Sequence, residues 1–259
     1  MNRHPAVAGL FYPNNPAELK SDVLTYINNA PNSDAHPKAM ILPHAGYIYS
    51  AKTASFGYRL LKNYADQIKR VILLGPSHRV AFYGHSVPTH SYFTTPLGDI
   101  SVDVETIEML ITNELAKYLD EAHQMEHCLE VQLPFLQLVL NDFSIVPIVV
   151  GQSDTEQVSE LINKVWGGEE TLIIVSSDLS HYLSYDEARA IDQETAQEIL
   201  SYNPSALTHK KACGATPIQG LLQSVQQHNL KASQLDLCNS GDTAGAKDAV
   251  VGYGAFAFE

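Results

Sequence analysis

Basic residues are scarce in this chain: 16 Lys and Arg stand against 29 Asp and Glu, a formal net charge of −13. No Lys/Arg-rich stretch appears, so nothing supplies the clustered cations that a nucleic-acid groove needs. Cysteines number three, Cys128, Cys213 and Cys238, and they are widely spaced. An odd, scattered set argues against a disulfide framework and for a reducing compartment. No apolar run approaches the ~18 residues of a membrane span. The opening Met1 to Tyr12 lacks the long apolar core of a signal peptide. These absences lead to the expectation of a soluble, cytoplasmic protein with no nucleic acid and no membrane among its partners.

Neither a low-complexity segment nor an internal repeat divides the 259 residues, and one domain over 1–259 is expected. With 45% hydrophobic and 17% charged residues, the balance is that of a globular chain able to bury a core without disulfides. Apolar runs at 38–42, 70–74, 143–150 and 171–176 alternate with helical patterns at 16–29, 50–66, 103–117, 154–165, 186–200 and 216–228. Interleaving of this kind predicts an α/β fold, a central mixed but largely parallel sheet with helices on both faces. The tail 248–258 reads as a final strand whose glycines suggest close packing or a bulge. Residues 31–37 read as a surface loop, and 78–99 as a β-excursion or a long loop over the site.

What the chain does have is histidine just past the ends of hydrophobic runs. Pro43-His44-Ala45-Gly46-Tyr47 follows the run at 38–42, and Gly75-Pro76-Ser77-His78 follows the run at 70–74. Proline and glycine end each strand and fix each histidine on a turn. Ligands of open α/β sheets gather outside the carboxyl ends of strands, so such histidines can converge on one cleft. A histidine capping a turn is the plain alternative for either one alone. Ser176-Ser177-Asp178-Leu179-Ser180-His181 is a third instance, with a carboxylate three residues before the imidazole. On a helical turn the two would share a face, where Asp178 could ligate, orient His181 or simply cap a helix.

Glu126-His127-Cys128-Leu129-Glu130 places His127 and Glu130 at helical i, i+3 spacing. The pair reads either as an acid–base pair facing the cleft or as a plain helix start. Cys213 precedes a helical pattern that has Pro217 near its first turn. Amide donors and the helix dipole would favour thiolate there, the form that binds metal or attacks electrophiles. His4, His36, His85, His90, His123, His209 and His228 have no such context and read as surface or packing residues.

Taken together, these segments resemble the Memo family, also called protein B of the AmmeMemoRadiSam system. Besides the histidine segments, Ala8-Gly9-Leu10-Phe11-Tyr12, Leu133-Pro134-Phe135, Cys213-Gly214, Ser240-Gly241-Asp242 and Gly252-Tyr253-Gly254-Ala255 carry the likeness in order through nearly the whole chain. The resemblance implies a fold like that of class III extradiol dioxygenases, whose non-haem iron sits at strand ends. It implies a metal site of His44, His78 and Cys213, with Asp178, His181 and His127 lining the pocket. The family is linked to redox-active copper or iron, and its eukaryotic members to phosphotyrosine signalling, which an acidic chain without an Arg cluster supports little.

Where the dioxygenases use two histidines and a carboxylate, Cys213 would make the set softer, favouring copper(I), zinc or a thiolate-bound iron. Ring cleavage therefore does not follow from the fold. The expected function is that of a metal-dependent oxidoreductase, with iron(II) or copper and zinc as a further option, acting on a small substrate. His127 or His181 would transfer protons, Asp178 would orient or ligate, and Phe11, Tyr12 and Tyr47 would line the entrance. The alternative is a non-enzymatic protein binding metal or a modified peptide, with a radical enzyme of the same pathway as a partner. A hydrolase with Cys213 as nucleophile and a histidine as base ranks last, because it leaves two strand-end histidines idle.

Overall fold

The computed structural model describes residues 1–259. Its strands are β1 (Asn2–Arg3), β2 (Ala39–Leu42), β3 (Arg70–Pro76), β4 (His85–Val87), β5 (Tyr92–Thr95) and β6 (Gly98–Val102). They continue with β7 (Lys117–Tyr118), β8 (Ser144–Val150), β9 (Thr171–Ser176), β10 (His181–Leu183), β11 (Ala232–Asn239) and β12 (Val250–Phe258). The helices are α1 (Pro16–Asn29), α2 (Tyr47–Leu61), α3 (Val104–Thr112) and α4 (Asp120–Gln124). After them come α5 (Leu133–Val139), α6 (Thr155–Lys164), α7 (Tyr185–Leu200) and α8 (Ala215–Gln227).

The strands form one mixed sheet in the order β1-β5-β6-β8-β3-β9-β2-β12-β10, with β11 on β12 and β4 on β8. Its centre, β6-β8-β3-β9-β2, is parallel, whereas β12 joins β2 antiparallel. Every residue of β2 and β9 is buried, as it must be when both faces of a parallel sheet are covered. These β-branched and leucine-rich strands therefore show no alternation, and that is why they read as continuous apolar runs.

The order β3-β9-β2 decides where chemistry can occur. Leu42 pairs with Ser176, and Leu74 with Val175, so the three strands end side by side. Their next residues lead to His44, His78 and Asp178. The excursion expected at 78–99 is the segment carrying β4 and β5, and β5 pairs antiparallel with β6 as a hairpin. The helix expected over 103–117 is shorter, because Glu114 takes a left-handed φ of 57° that stops it and frees Lys117–Tyr118 to pair with β4. Strand β11 was not expected. Only Gln234 to Leu237 alternate polar and apolar residues, and all of the strand but Asn239 is at most half-buried.

The first residues form a strap across the edge of the site. β1 pairs with β5, and the buried Arg3 donates to the carbonyls of His123 and Glu126 and pairs with the Glu130 carboxylate. Glu130 also accepts from the amides of Ala6 (2.7 Å) and Val7 (3.0 Å) and from the Tyr12 hydroxyl (2.5 Å). One fully buried carboxylate thus ties Arg3 to Tyr12. No helix of the structure is long and apolar enough to cross a membrane.

Candidate metal centre

His44, His78 and Cys213 come together at the strand ends, with one donor atom of each lying within 4.8 Å of the others. Cys213 Sγ is 3.4 Å from His44 Nε2. The second nitrogen of each ring is already engaged. His44 Nδ1 is 3.0 Å from Ser176 Oγ, and His78 Nδ1 is 2.8 Å from Glu126 Oε1. Each histidine therefore turns Nε2 towards the cluster, that of His44 against the Cys213 sulfur, which is how metal-bound imidazoles are held when an outer partner fixes the ring and its tautomer.

Those outer partners are themselves fixed. Ser176 Oγ donates to the Cys128 carbonyl at 2.7 Å and accepts from Gln132 Nε2 at 2.8 Å. Gln132 also donates to the Pro43 carbonyl and accepts from the Tyr58 hydroxyl at 2.6 Å. Glu126, only 2% exposed, accepts from His78 N (2.7 Å), His127 N (3.0 Å) and Cys128 N (3.1 Å) as well as from the His78 ring. Burial pushes the Glu126 carboxyl up, but the hydrogen bond and charge of His78 outweigh it and bring it down to about 2. Glu126 stays ionised. Neither Ser176, Gln132 nor Glu126 stood out in the sequence. Glu126 carried a faint signal beside His127, and Ser176 sits at a strand end like the histidines.

His127 lies in the same cluster, its ring centroid 5.3 Å from that of His44 and 4.6 Å from that of His78. Burial and the neighbouring His44 bring His127 down to about 4, and burial followed by His78 brings His44 down to about 3. Both rings are neutral near pH 7, the form that can ligate or accept a proton. The buried His127 Nδ1 has no hydrogen-bond partner, although Glu126 Oε1 lies 3.3 Å away.

Asp178 is buried beside them. Its Oδ1 accepts from His44 N at 2.7 Å and Ala45 N at 3.3 Å, and its Oδ2 is 4.0 Å from His44 Nε2. It is raised by burial, against the pull of those amides and of His181 and His127. The carboxylate therefore locks the turn after β2 to the end of β9. His181 opens β10 and lines the same cleft, a cavity of about 580 Å³.

Several expectations are corrected. Glu130 is not an acid–base partner of His127: residues Glu130–Gln132 form a single 3-10 turn, and the carboxylate points into the strap. Asp178 and His181 share no helical turn, and Asp178 caps no helix, because β10 follows directly. Phe11 lines the cleft, but Tyr12 and Tyr47 lie beneath it with their hydroxyls bound to Glu130 and the Val131 carbonyl. Tyr49, Tyr182 and Tyr253 complete the aromatic lining instead. Tyr182 has a φ of 59° at a register shift between β10 and β12, which turns its ring outward, 79% exposed.

The expected thiolate of Cys213 is the fourth correction. Burial, followed by the nearby Asp178 charge, pushes the thiol up to about 12 despite the helix that starts at Ala215. Desolvation outweighs the helix dipole at this depth. The set of donors fits a metal ion all the same. His44 and His78 turn Nε2 towards a sulfur that only a cation would make a thiolate. Gly214 holds the segment close, since a Cβ there would press on the Ser177 side chain at 2.7 Å.

Comparison with known proteins shows the family. A family model described as Memo-like protein matches residues 3–257. A MEMO1 family protein of Aquifex aeolicus is 36% identical over 262 residues, covering 97% of each chain. Relatives of the same description from Archaeoglobus fulgidus and Methanosarcina mazei are 35% and 34% identical, each over 99% of both chains. With a family match from end to end and full-length relatives above 30% identity, this chain belongs to the Memo-like protein family.

Proposed function

We propose that the protein is a metal-dependent oxidoreductase of dioxygenase-like fold, using non-haem iron or copper on a small substrate. The observation that carries this reading is the convergence of His44, His78 and Cys213 donors within 4.8 Å. Thiolate and imidazole together favour copper(I), zinc or a thiolate-bound iron over a hard cation. A bound metal would supply redox or Lewis-acid chemistry at the foot of the cleft.

The chain's own residues do the rest. Ser176 and Glu126 aim the two imidazoles, and Asp178 fixes the turn that carries His44 and, with Oδ2 4.0 Å from His44 Nε2, is the candidate for a further ligand. His127, neutral and within the ring cluster, is suited to accept a proton from a substrate, with His181 as the other candidate. Phe11, Tyr49, Tyr182 and Tyr253 suit a small molecule with an aromatic body. A hydrolase reading loses support, because a thiol pushed up to about 12 is a poor nucleophile without a cation.

A second reading is a non-enzymatic protein that binds metal or a modified peptide, working beside a radical enzyme of the same pathway in the cytoplasm. The exposed Tyr182 at the cleft rim favours it. Metal analysis after anaerobic purification tests the ligand assignment, with His78→Ala and Cys213→Ser as variants. Wild-type protein should carry iron or copper and both variants should lose it. Unchanged occupancy in both would remove the assignment. Turnover of a phenolic substrate would favour the enzyme, whereas one stoichiometric protein partner without turnover would favour the binder.

A further inference from the structure

Beyond His78 lies a second cavity, of about 490 Å³, that the proposed chemistry leaves unused. His78 lines both cavities, whereas His44 lines only the aromatic cleft and Cys213 only the second cavity. The three donors lie within 4.8 Å of one another, so the trio stands between two open spaces. The aromatic cleft reaches it from the imidazole side. The second cavity reaches it from the sulfur side.

The wall of the second cavity is pinned in place. Gln152 N donates to the Phe82 carbonyl at 2.7 Å, Gly84 N to the Gln152 carbonyl at 2.8 Å, and Gly151 N to the Gly84 carbonyl at 2.9 Å. A Cβ at Gly151 would strike the Phe82 carbonyl, so only glycine lets these two segments lie together. The space is therefore preformed.

Its chemistry is distinctive for so acidic a protein. None of the residues lining it is Asp, Glu, Lys or Arg, in a chain of formal net charge −13. Val80, Phe82 and Pro217 give it an apolar body, while Gln152, His209 and Thr216 offer hydrogen bonds. An ionic ligand would find no fixed counter-charge there, and its desolvation would go uncompensated. We propose that this cavity is a subsite for a small uncharged molecule with an apolar body and an amide or hydroxyl edge, delivered to the Cys213 face of the centre. The inference rests on the ligand reading above for its purpose, but not for its test. Two reactants could then meet at one centre from opposite sides without passing each other.

Metal-free protein and iodoacetamide, a small uncharged amide, provide that test. Alkylation of Cys213 is followed by peptide mass spectrometry at mildly alkaline pH, with Cys238 as an internal reference outside both cavities. The Cys213 rate should saturate with iodoacetamide concentration, showing reversible binding before reaction, while the Cys238 rate stays linear. Ala81→Trp and Thr216→Trp, two independent plugs of the second cavity, should each slow Cys213 at least about tenfold without affecting Cys238. Ala249→Trp, which narrows the aromatic cleft, should leave the Cys213 rate unchanged. A linear Cys213 rate, or slowing by Ala249→Trp in place of the other two, would overturn the proposal. Since no metal is present, neither result depends on whether His44, His78 and Cys213 bind one.

Discussion

Replacing Glu130 by Ala removes the single carboxylate that holds the amino-terminal strap. The side chain is fully buried and takes hydrogen bonds from Ala6 N, Val7 N, the Tyr12 hydroxyl and Arg3. Its loss leaves the Arg3 guanidinium, 3% exposed, without a counter-charge and two amides without an acceptor. Breaking one side of a buried ion pair costs roughly 3–5 kcal/mol, mostly from the stranded charge. At about 2–4 °C per kcal/mol for a chain of this size class, the melting temperature should fall by roughly 10 °C. Urea unfolding measures the free energy, and hydrogen exchange at Ala6 and Val7 locates the loss. Arg3→Ala should also destabilise, and a double-mutant cycle of the two should be clearly non-additive. A Glu130→Ala cost below about 1 kcal/mol would refute the clamp, because no single buried charge could then depend on it.

Glu126→Gln keeps the shape of the side chain but weakens its hold on the His78 ring. Metal affinity, measured by chelator competition, should fall about 10- to 100-fold, and an unchanged affinity would contradict the orienting role. Gly75→Ala would force a methyl group onto Cys128 Sγ and Leu129 behind the β3 end, with an expected cost of about 1–3 kcal/mol by chemical denaturation. Acid should weaken the metal-free fold early. His44 and His123 are brought down to about 3 and His127 to about 4, in each case first by burial. The unfolded chain therefore binds more protons than the folded one below the ordinary histidine value, and stability is full above ~6.5 and lost as pH falls toward 4. Asp192, raised to about 6 by burial, and Asp178, also raised by burial, oppose this, while His85, lowered by burial, adds to it. Stability that stays flat in urea titrations from pH 7 to pH 5 would contradict the three neutral imidazoles.

The metal-ligand candidates were legible where strand ends announced themselves. Pro43 and Gly75-Pro76 closed apolar runs, and the parallel order β3-β9-β2 then placed the following residues side by side. Cys213 was different. Its local setting suggested a reactive thiolate, yet depth of burial decides its protonation, and depth depends on strands far away in sequence. The same limit applies to Glu130 and Arg3, which are 127 positions apart and meet only because β1 joins β5. Helical spacing paired His127 with Glu130, but a single 3-10 turn rotated that carboxylate away and left Glu126 as the carboxylate beside the ring, 3.3 Å from Nδ1. Tyr182 depended on a bulge, which a three-residue strand does not advertise.

X-ray absorption at the edge of the metal bound by anaerobically purified protein tests the central claim most directly. A centre of His44, His78 and Cys213 predicts one sulfur scatterer at about 2.3 Å and two imidazole nitrogens at about 2.0 Å, the sulfur shell vanishing in Cys213→Ser. A shell of nitrogen and oxygen alone in the wild-type protein would contradict it.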